Sequence, residues 1–512
     1  MELKIFQNKV TGYGGRWETR VELPVETEIL IPDYLPAVFK IVKCLMEPVV
    51  LQNRVAAGRW QTEGYLRCTV YYQSDEPGCK LWRIEQKFAF EKSIELPAAG
   101  YAPGPARLWG ESEYCNCRAV SEHRIDLRGA YILFASLLLT QETELLTSLA
   151  DCGIEQRADT LHGLQRVAAE EKTYTAESTT ALPAPDETML DITGRFVPEQ
   201  VSCQTGQVSV KGVLQLQLCS RSGETDTMGV RRAEVPVQQV LELPGTAPDN
   251  LCLCWGEVMA CTLSAEDAAR EARLSVTWKL HAELWRESNY EVVADAYSTL
   301  CHTQTVATGC KLLQKSAAFE DLLTVEVEDD LPDADCTVQG CFVTLGQAVA
   351  LPQPEQEGNI VLQGKGVAHV ICADARGELT CYDKPFVWQP QGSWPGCPAD
   401  ACVSVQATAA RVQSSKNGAR LHVEVQLALS GMLLQAVEQQ ALCGVELGEM
   451  FADPNDGPAL YLYYAAKGER VFDIAKRYHA RPKDLAAANA LNEGENPTVI
   501  GQDCCLLIPA AL

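Results

Sequence analysis

The fold class of this chain is set by the segment Gly206-Gln207-Val208-Ser209-Val210-Lys211-Gly212-Val213-Leu214-Gln215-Leu216-Gln217-Leu218. A spaced glycine pair opens the segment, and leucine then alternates with glutamine up to its end. Successive side chains of a strand point to opposite faces, so this alternation predicts a strand with one buried and one solvated face. Strands of that kind are typical of antiparallel sheets.

The same pattern occurs three times along the 512 residues. The glycine pairs are Gly58/Trp60/Gly64, Gly206/Val208/Gly212 and Gly358/Ile360/Gly364. About 60 residues after each pair comes a second shared mark, at Arg124-Ile125-Asp126-Leu127, Arg273-Leu274-Ser275-Val276 and Arg420-Leu421-His422-Val423. The common order, with a period of about 150 residues, predicts whole domains in tandem rather than a thin solenoid.

The first two copies share two further marks. Glu95-Leu96-Pro97 matches Glu242-Leu243-Pro244, and Trp109-Gly110-Glu111 matches Trp255-Gly256-Glu257. The third copy lacks both and is the most diverged. Local helical spacing predicts one helix over Tyr34–Met46 and another over Gln156–Lys172, and the proline-rich run Ala181–Pro185 predicts a linker.

The C-terminal part changes from period two to helical spacing at Tyr461. One apolar helical stripe is formed by Val471, Phe472, Ile474, Ala475 and Tyr478. A proline at 482 suits the first turn of a second helix, and short apolar stretches flank the two helices. The pattern predicts strand, helix, helix and strand in a small closing domain.

The predicted architecture is mainly β, with three tandem antiparallel, sandwich-like repeats followed by a small βααβ domain. Its predicted boundaries are 1–150 for repeat 1, 151–185 for a helical segment and linker, 186–305 for repeat 2, 306–450 for repeat 3 and 458–512 for the closing domain.

Composition narrows the function classes. The formal net charge of −25 disfavours nucleic acid and anionic membrane surfaces as partners. It favours either simple solubility or attraction to a basic partner protein. The N-terminus has no secretory signal and no stretch reaches the length of a membrane span, so we expect a cytoplasmic protein without an integral membrane segment.

Catalytic and metal-binding signatures are missing from the sequence. The 22 cysteines include no C-x-x-C pair, and in a cytoplasm we expect them to be thiols rather than a disulfide framework. Two C-x-C pairs, Cys115/Cys117 and Cys252/Cys254, would place both thiols on one face of a strand. No histidine pair has metal-ligand spacing, and no phosphate-binding loop or nucleophile elbow occurs. We therefore expect no enzyme activity, no cofactor and no metal site.

The three copies resemble the SPOCS domain (DUF3794) of spore-forming Firmicutes. The resemblance is carried by the glycine pairs with their following strands, by the opening segment Ile31-Pro32-Asp33-Tyr34-Leu35-Pro36 and by the run Asp295-Ala296-Tyr297-Ser298. It covers about residues 25–450. These marks are structural, and none of them is chemical.

The closing domain is similar to LysM modules. The matching residues are Gly468-Glu469, Ile474-Ala475, Tyr478, Leu485, Asn489, Leu491, Ile500-Gly501-Gln502 and Ile508-Pro509. LysM modules generally bind N-acetylglucosamine-containing glycans, and the resemblance implies a groove formed by Gly468, Glu469, Arg470, Val471, Leu491, Asn492 and Glu493. The alternative role for Gly468 and Asn489 is to shape a turn and cap a helix. Arg470 stands where the family usually has Thr or Ser, and the long closing segment Gly501–Pro509 predicts an irregular last strand.

SPOCS-like repeats followed by LysM are the organisation of SipL-like spore coat assembly proteins. The resemblance implies a non-enzymatic adaptor in the mother-cell cytoplasm that is recruited to the forespore surface. Its implied partner is the coat-basement ATPase, stage IV sporulation protein A, contacted through LysM. One alternative is a peptidoglycan-binding protein of the spore envelope, and another is a LysM-targeted hydrolase with a catalytic domain within residues 1–450.

Overall fold

The structure is a computed structural model that describes residues 3–74, 81–181, 187–222, 228–264, 271–353, 359–395, 402–451, 460–491 and 499–509. The described part is mainly β, as predicted, with several antiparallel sheets and two short helices. Three β units follow one another along the chain, and a small fourth unit closes it.

Unit 1 consists of two sheets. Its strands are β1 (Lys4–Leu30), β2 (Val38–Ala56), β3 (Arg59–Ser74), β4 (Leu81–Glu95), β5 (Gly100–Tyr101), β6 (Arg107–Ser121) and β7 (Arg124–Ala150). The first strand pairs with the last, β7, which also pairs with β5 and β6. The second sheet has the order β2-β3-β4.

Unit 2 repeats this strand order. Its strands are β8 (Ile154–Ala181), β9 (Glu187–Gln204), β10 (Gln207–Ser222), β11 (Met228–Glu242), β12 (Leu251–Ser264) and β13 (Glu271–Ser298). Again the first strand pairs with the last, the last pairs with β12, and β9, β10 and β11 form the second layer. Here a single bridge between Arg195 of β9 and Glu257 of β12 joins the two layers into one six-stranded sheet.

Unit 3 has the same plan with a divided second strand. Its strands are β14 (Cys301–Asp330), β15 (Thr337–Leu345), β16 (Val349–Pro352), β17 (Asn359–Ala373), β18 (Leu379–Trp388), β19 (Trp394–Pro395), β20 (Cys402–Asn417) and β21 (Arg420–Met450). β14, β21 and β20 form one sheet, and β17 pairs with β15, β16, β18 and β19 in the other. Each unit has its own apolar core, to which both of its sheets contribute.

The repeated glycines have two distinct roles. The first glycine of the pair is a turn residue with positive φ, at 70° for Gly58 and 78° for Gly206. The second allows close backbone approach, because a Cβ on Gly64 or Gly212 would collide with a carbonyl oxygen of the neighbouring strand. The shared Glu-Leu-Pro segments lie beside the first glycine of the pair. In unit 1, the Leu96 amide donates to the Gly58 carbonyl oxygen at 2.9 Å. The third first-position glycine, Gly358, lies outside the described residues.

The repeated arginines each form an ion pair with a glutamate on the first strand of the same unit. The pairs are Arg124–Glu28, Arg273–Glu177 and Arg420–Glu328. All three pairs are exposed, so solvent screens them and each contributes little to stability.

The three units meet where their long hairpins β1–β7, β8–β13 and β14–β21 pack together. Equivalent positions of the last strands lie in this junction as four triplets: Leu138/Trp285/Leu434, Leu145/Val292/Ala441, Leu146/Val293/Leu442 and Leu149/Ala296/Val445. Each last strand also carries one unpaired bulge residue at an equivalent position, Thr147, Ala294 or Cys443. The repetition therefore extends to the register of the strands.

The two helices predicted before the closing domain are wrong. Tyr34–Met46 runs into strand β2, and Gln156–Lys172 lies within strand β8. Both strands are irregular: β2 has three register shifts against β3, and β8 has shifts against β13 near Leu284 and Val293. A β-bulge inserts one extra residue and so breaks the period-two alternation of apolar and polar side chains. The spacing of apolar residues that results resembles that of a helix.

These strands also move the boundaries of the units. The segment 151–185, predicted as a helical segment and linker, contains the first strand of unit 2, which pairs along its length with β13. Unit 3 begins with β14 at Cys301 rather than at residue 306. The predicted linker residues 182–185 lie outside the described residues.

One disulfide departs from the expectation of free thiols. Cys44 of β2 and Cys117 of β6 are joined, across 73 residues of sequence. Seventeen other cysteines whose side chains the structure describes form no disulfide. Strands β2 and β6 belong to different sheets of unit 1, and their packing brings the two sulfurs together in a way that sequence spacing does not reveal.

Candidate functional site

The closing unit has the element order strand, helix, helix, strand. Its elements are β22 (Leu460–Ala465), α1 (Val471–Arg477), α2 (Pro482–Ala488) and β23 (Cys504–Pro509). The inner face of the two-stranded sheet packs on both helices in a small apolar core that includes Ile474, Leu485, Leu506 and Ile508. Strand β23 pairs with β22 in one continuous register, so the prediction of an irregular last strand is wrong.

The residues predicted to form the groove have unequal positions. Gly468 is exposed in a turn with φ of 95°, and its amide donates to the Ile500 carbonyl oxygen at 2.9 Å. Arg470 is exposed and forms a backbone bridge with Val499. The two loops that the resemblance implies on either side of a groove are therefore hydrogen-bonded to each other at their bases.

Other predicted groove residues lie inside the module. Val471 is 3% exposed and belongs to the core, and Leu491 packs against that core. Glu469 holds its own loop together: its carboxylate accepts from Tyr463 Oη at 2.9 Å and from the Ala466 amide at 3.1 Å. The hydrogen bond to Glu469 raises the pKa of Tyr463. Asn492 and Glu493 lie outside the described residues.

Asn489 has a structural role in the module. Its side-chain amide donates to the Leu485 carbonyl oxygen at 2.8 Å and to the Leu507 carbonyl oxygen at 2.7 Å. Its side-chain oxygen accepts from the Leu507 amide at 2.6 Å. The residue thus fixes the end of α2 to strand β23, as the alternative interpretation of this position expects.

The module is seated on unit 2 through the run Asp295–Ser298. The Tyr297 hydroxyl donates to the Ala480 carbonyl oxygen at 2.6 Å, and its ring packs edge-on against Phe472. Lys476 forms an ion pair with Asp295 at 2.6 Å. Two residues of the run that carried the family resemblance, Asp295 and Tyr297, therefore contact the closing module, which the sequence did not reveal.

A second contact joins two rings of unit 3, His302 at its start and Phe451 at its end, to the His479 ring of the module. Phe451 follows β21, and its ring lies 4.1 Å from the imidazole of His479 and 4.6 Å from that of His302. Burial lowers the pKa of His479, with a smaller contribution from His302. The module is thus held by both unit 2 and unit 3.

The outer face of the module sheet is apolar and exposed. Cross-strand pairing places Leu462 opposite Leu507 and Tyr464 opposite Cys505, on the side away from the helices. Leu462 is 62% exposed and Tyr464 is 81% exposed. Cys505 is exposed and Leu507 half-buried. We refer to these four residues as the outer sheet face.

A cleft of about 270 Å³ lies between the three units. Trp109, Trp255 and Gln406, which occupy equivalent positions in the three units, all contribute to its lining. The Trp255 indole stacks on His281 at 5.0 Å, with the Arg107 guanidinium 5.3 Å from its ring centre.

Buried ion pairs hold the units together beside this cleft. The Glu283 carboxylate lies 3.5 Å from Arg166 and 3.8 Å from Arg107 of unit 1. Burial lowers the pKa of Arg166, and the charge of Glu283 opposes that effect. Lys279 pairs with Glu171 at 3.3 Å and donates to the Val50 carbonyl oxygen of unit 1. Sequence reasoning missed these residues because each is an ordinary strand position without a motif.

A hydrogen-bonded chain lies between units 1 and 3. Thr344 Oγ1 is 3.0 Å from His369 Nε2, and His369 Nδ1 is 2.7 Å from Asp383 Oδ1. The hydroxyl, imidazole and carboxylate stand in the order of the nucleophile, base and acid of a catalytic triad. However, Lys43 of unit 1 binds the other oxygen of Asp383 at 2.6 Å. The hydrogen bond from His369 lowers the pKa of Asp383, and Lys43 adds to this effect. The hydrogen-bonded groups therefore act as an ionic contact between units 1 and 3.

Comparison with known proteins does not identify the chain, because no family model, no curated protein and no solved structure matches it. Among the described residues, neither helix has the length and apolar character needed to span a lipid bilayer.

Proposed function

We propose that this chain is a non-enzymatic assembly adaptor, in which the three-unit body holds the closing module and the module docks a partner protein. The observation that carries the proposal is the outer sheet face, where Leu462 and Tyr464 are left exposed on a module seated firmly by its other sides. Exposed apolar groups of this kind, tyrosine in particular, are typical of the centre of protein interfaces.

The resemblance to SPOCS and LysM proteins supplies the proposed partner and place. The partner is the coat-basement ATPase, stage IV sporulation protein A, at the forespore surface of the mother cell. The net charge of −25 favours a partner whose docking surface is basic around an apolar centre.

The groove residues give weaker support to glycan binding. Both oxygens of Glu469 are used within the loop and Val471 is buried, so few of the described groove positions have free polar groups to offer a sugar. Gly468 and Arg470 remain accessible, and Arg470 serves as the probe for this alternative.

Binding of the full chain to purified ATPase tests the proposal. We expect Tyr464→Glu to weaken binding roughly 30-fold, the equivalent of about 2 kcal/mol for an interface hot spot. The matched control is Tyr34→Glu, since Tyr34 of unit 1 is similarly exposed at 83% and distant in sequence. Arg470→Ala should leave binding unchanged.

Insoluble peptidoglycan provides the opposing measurement. If the full chain sediments with peptidoglycan, Arg470→Ala releases it and the ATPase binds neither form, then the adaptor proposal is wrong. Clearing of purified spore cortex in a turbidity assay would instead establish the hydrolase alternative.

A further inference from the structure

Three cysteines of unit 1 form a cluster between its two sheets. Cys44 lies on β2, and Cys115 and Cys117 lie on β6. Their sulfur atoms are all within 4.8 Å of one another, and all three residues are half-buried. The C-x-C spacing places Cys115 and Cys117 on the same face of β6, toward the strand that carries Cys44.

A fourth thiol lies next to this cluster. Strand register places Cys68 of β3 opposite Met46, two residues along from Cys44, so Cys44 and Cys68 are diagonal neighbours on one face. Cys68 is fully buried. Burial raises the pKa of Cys68 to about 12, and the neighbouring Cys115 adds to the effect.

The disulfide accounts for only part of this arrangement. Bonding of Cys44 to Cys117 leaves Cys115 as a free thiol beside them. Reduction by a dithiol, which supplies two electrons and two protons, would leave three adjacent thiols. Burial raises the pKa of the Cys115 thiol to about 11. Lys43 lies close enough to Cys115 to oppose this increase.

The separations suit a single soft cation. Zinc–thiolate bonds of about 2.3 Å in a tetrahedral site place the sulfurs about 3.8 Å apart, which is within the spread of this cluster. Thiolates select Zn²⁺ over the hard cations Mg²⁺ and Ca²⁺. Three thiolates around Zn²⁺ carry one net negative charge.

The position of the cluster gives such an ion a structural role. β2 is one edge strand of the second sheet of unit 1, and β6 lies at one edge of the other. In unit 2, the backbone bridge between Arg195 and Glu257 joins the two corresponding edge strands. In unit 1, the cysteine cluster joins β2 to β6.

We propose that the reduced chain binds one Zn²⁺ ion through the thiolates of Cys44, Cys115 and Cys117, with Cys68 available for the fourth position. Binding releases the thiol protons to solvent and couples the two sheets of unit 1. The ion is structural, so the proposal is independent of any partner of the closing module.

Metal content of the full chain tests this proposal. The protein is reduced with dithiothreitol, loaded with Zn²⁺, freed of excess metal and subjected to elemental analysis. We expect the wild type to retain one equivalent more than Cys115→Ser, which leaves the Cys44–Cys117 pair intact. Cys443→Ser, at a half-buried free cysteine of unit 3, is the matched control and should equal the wild type. With Co²⁺, the wild type should show thiolate-to-metal absorption that Cys115→Ser lacks.

If Cys115→Ser folds poorly, a second measurement on the wild type still tests the proposal. A chelator should lower the melting temperature of the reduced, zinc-loaded wild type, because metal binding is linked to folding. Equal zinc content in the wild type and Cys115→Ser overturns the proposal. So does a Cys44–Cys117 disulfide that persists in dithiothreitol in a metal-free protein whose melting temperature does not respond to the chelator.

Discussion

The junction of the three units and the seat of the closing module are built differently. The junction repeats one arrangement three times, with triplets such as Leu145/Val292/Ala441 buried from every side. The seat occurs once and combines single polar contacts, such as Tyr297 to Ala480 and Asp295 to Lys476, with a few rings. Apolar burial over many side chains contributes far more than isolated polar contacts, so the junction should govern the stability of the body. The seat should govern only the position of the module.

The largest effect is expected at Trp285, which is 1% exposed at the centre of the junction. Trp285→Ala removes a large buried ring, and we expect it to lower the free energy of unfolding by about 3–5 kcal/mol. Denaturant unfolding measures this loss. The control Leu322→Ala, at a position 67% exposed on β14, should change it by less than about 0.5 kcal/mol. Equal losses in the two variants would contradict a packed junction.

The next effect concerns the charges beside the cleft. Glu283→Gln keeps the shape of the side chain but leaves the buried Arg166 without its counter-charge. We expect a loss of about 2–3 kcal/mol, since a buried charge without its partner is costly. Glu291→Gln, at an exposed carboxylate on the same strand, is the matched control in the same unfolding experiment. If Glu283→Gln left the free energy of unfolding unchanged, water would already solvate this ion pair.

The seat should respond to smaller changes without any loss of the body. Tyr297→Phe removes the hydroxyl that donates to the Ala480 carbonyl oxygen, at an expected cost of about 0.5–1.5 kcal/mol. Hydrogen exchange should rise in residues 476–481 and stay unchanged in the junction strands. Tyr34→Phe, which alters an exposed hydroxyl of unit 1, should change neither region. Faster exchange throughout the body would show that the seat and the junction are one cooperative unit.

The sequence predicted the parts of the fold that depend on local pattern. Alternation in Leu214, Leu216 and Leu218 gave a strand, and positive φ at Gly58 and Gly206 explains why those glycines recur. The β-rich character and the antiparallel sheets are likewise as predicted. These features depend on neighbours in sequence, which is why spacing alone was informative.

The junction could not be predicted because its geometry breaks the pattern that sequence reading relies on. In strand β8 both Leu161 and Leu164 are buried, at a spacing of three, because the strand packs on two sides where the units meet. Bulges at Thr147, Ala294 and Cys443 likewise change the face that each strand presents. Contacts such as Tyr297 with Ala480 join residues far apart in sequence and leave no local signal.

The smallest effect is expected from pH, at the side of the seat formed by His479. Burial against Phe451 holds the pKa of His479 below its ordinary value of 6.5. Protonation is therefore harder when the module is seated than when it is released. This contribution is complete above about pH 6.5 and is lost progressively as the pH falls below that value. We expect limited proteolysis to release the module faster at pH 5.5 than at pH 7.5, roughly severalfold at most because the imidazole is only half-buried. In His479→Gln the difference between the two pH values should shrink, whereas an unchanged difference would contradict the assignment of the effect to His479.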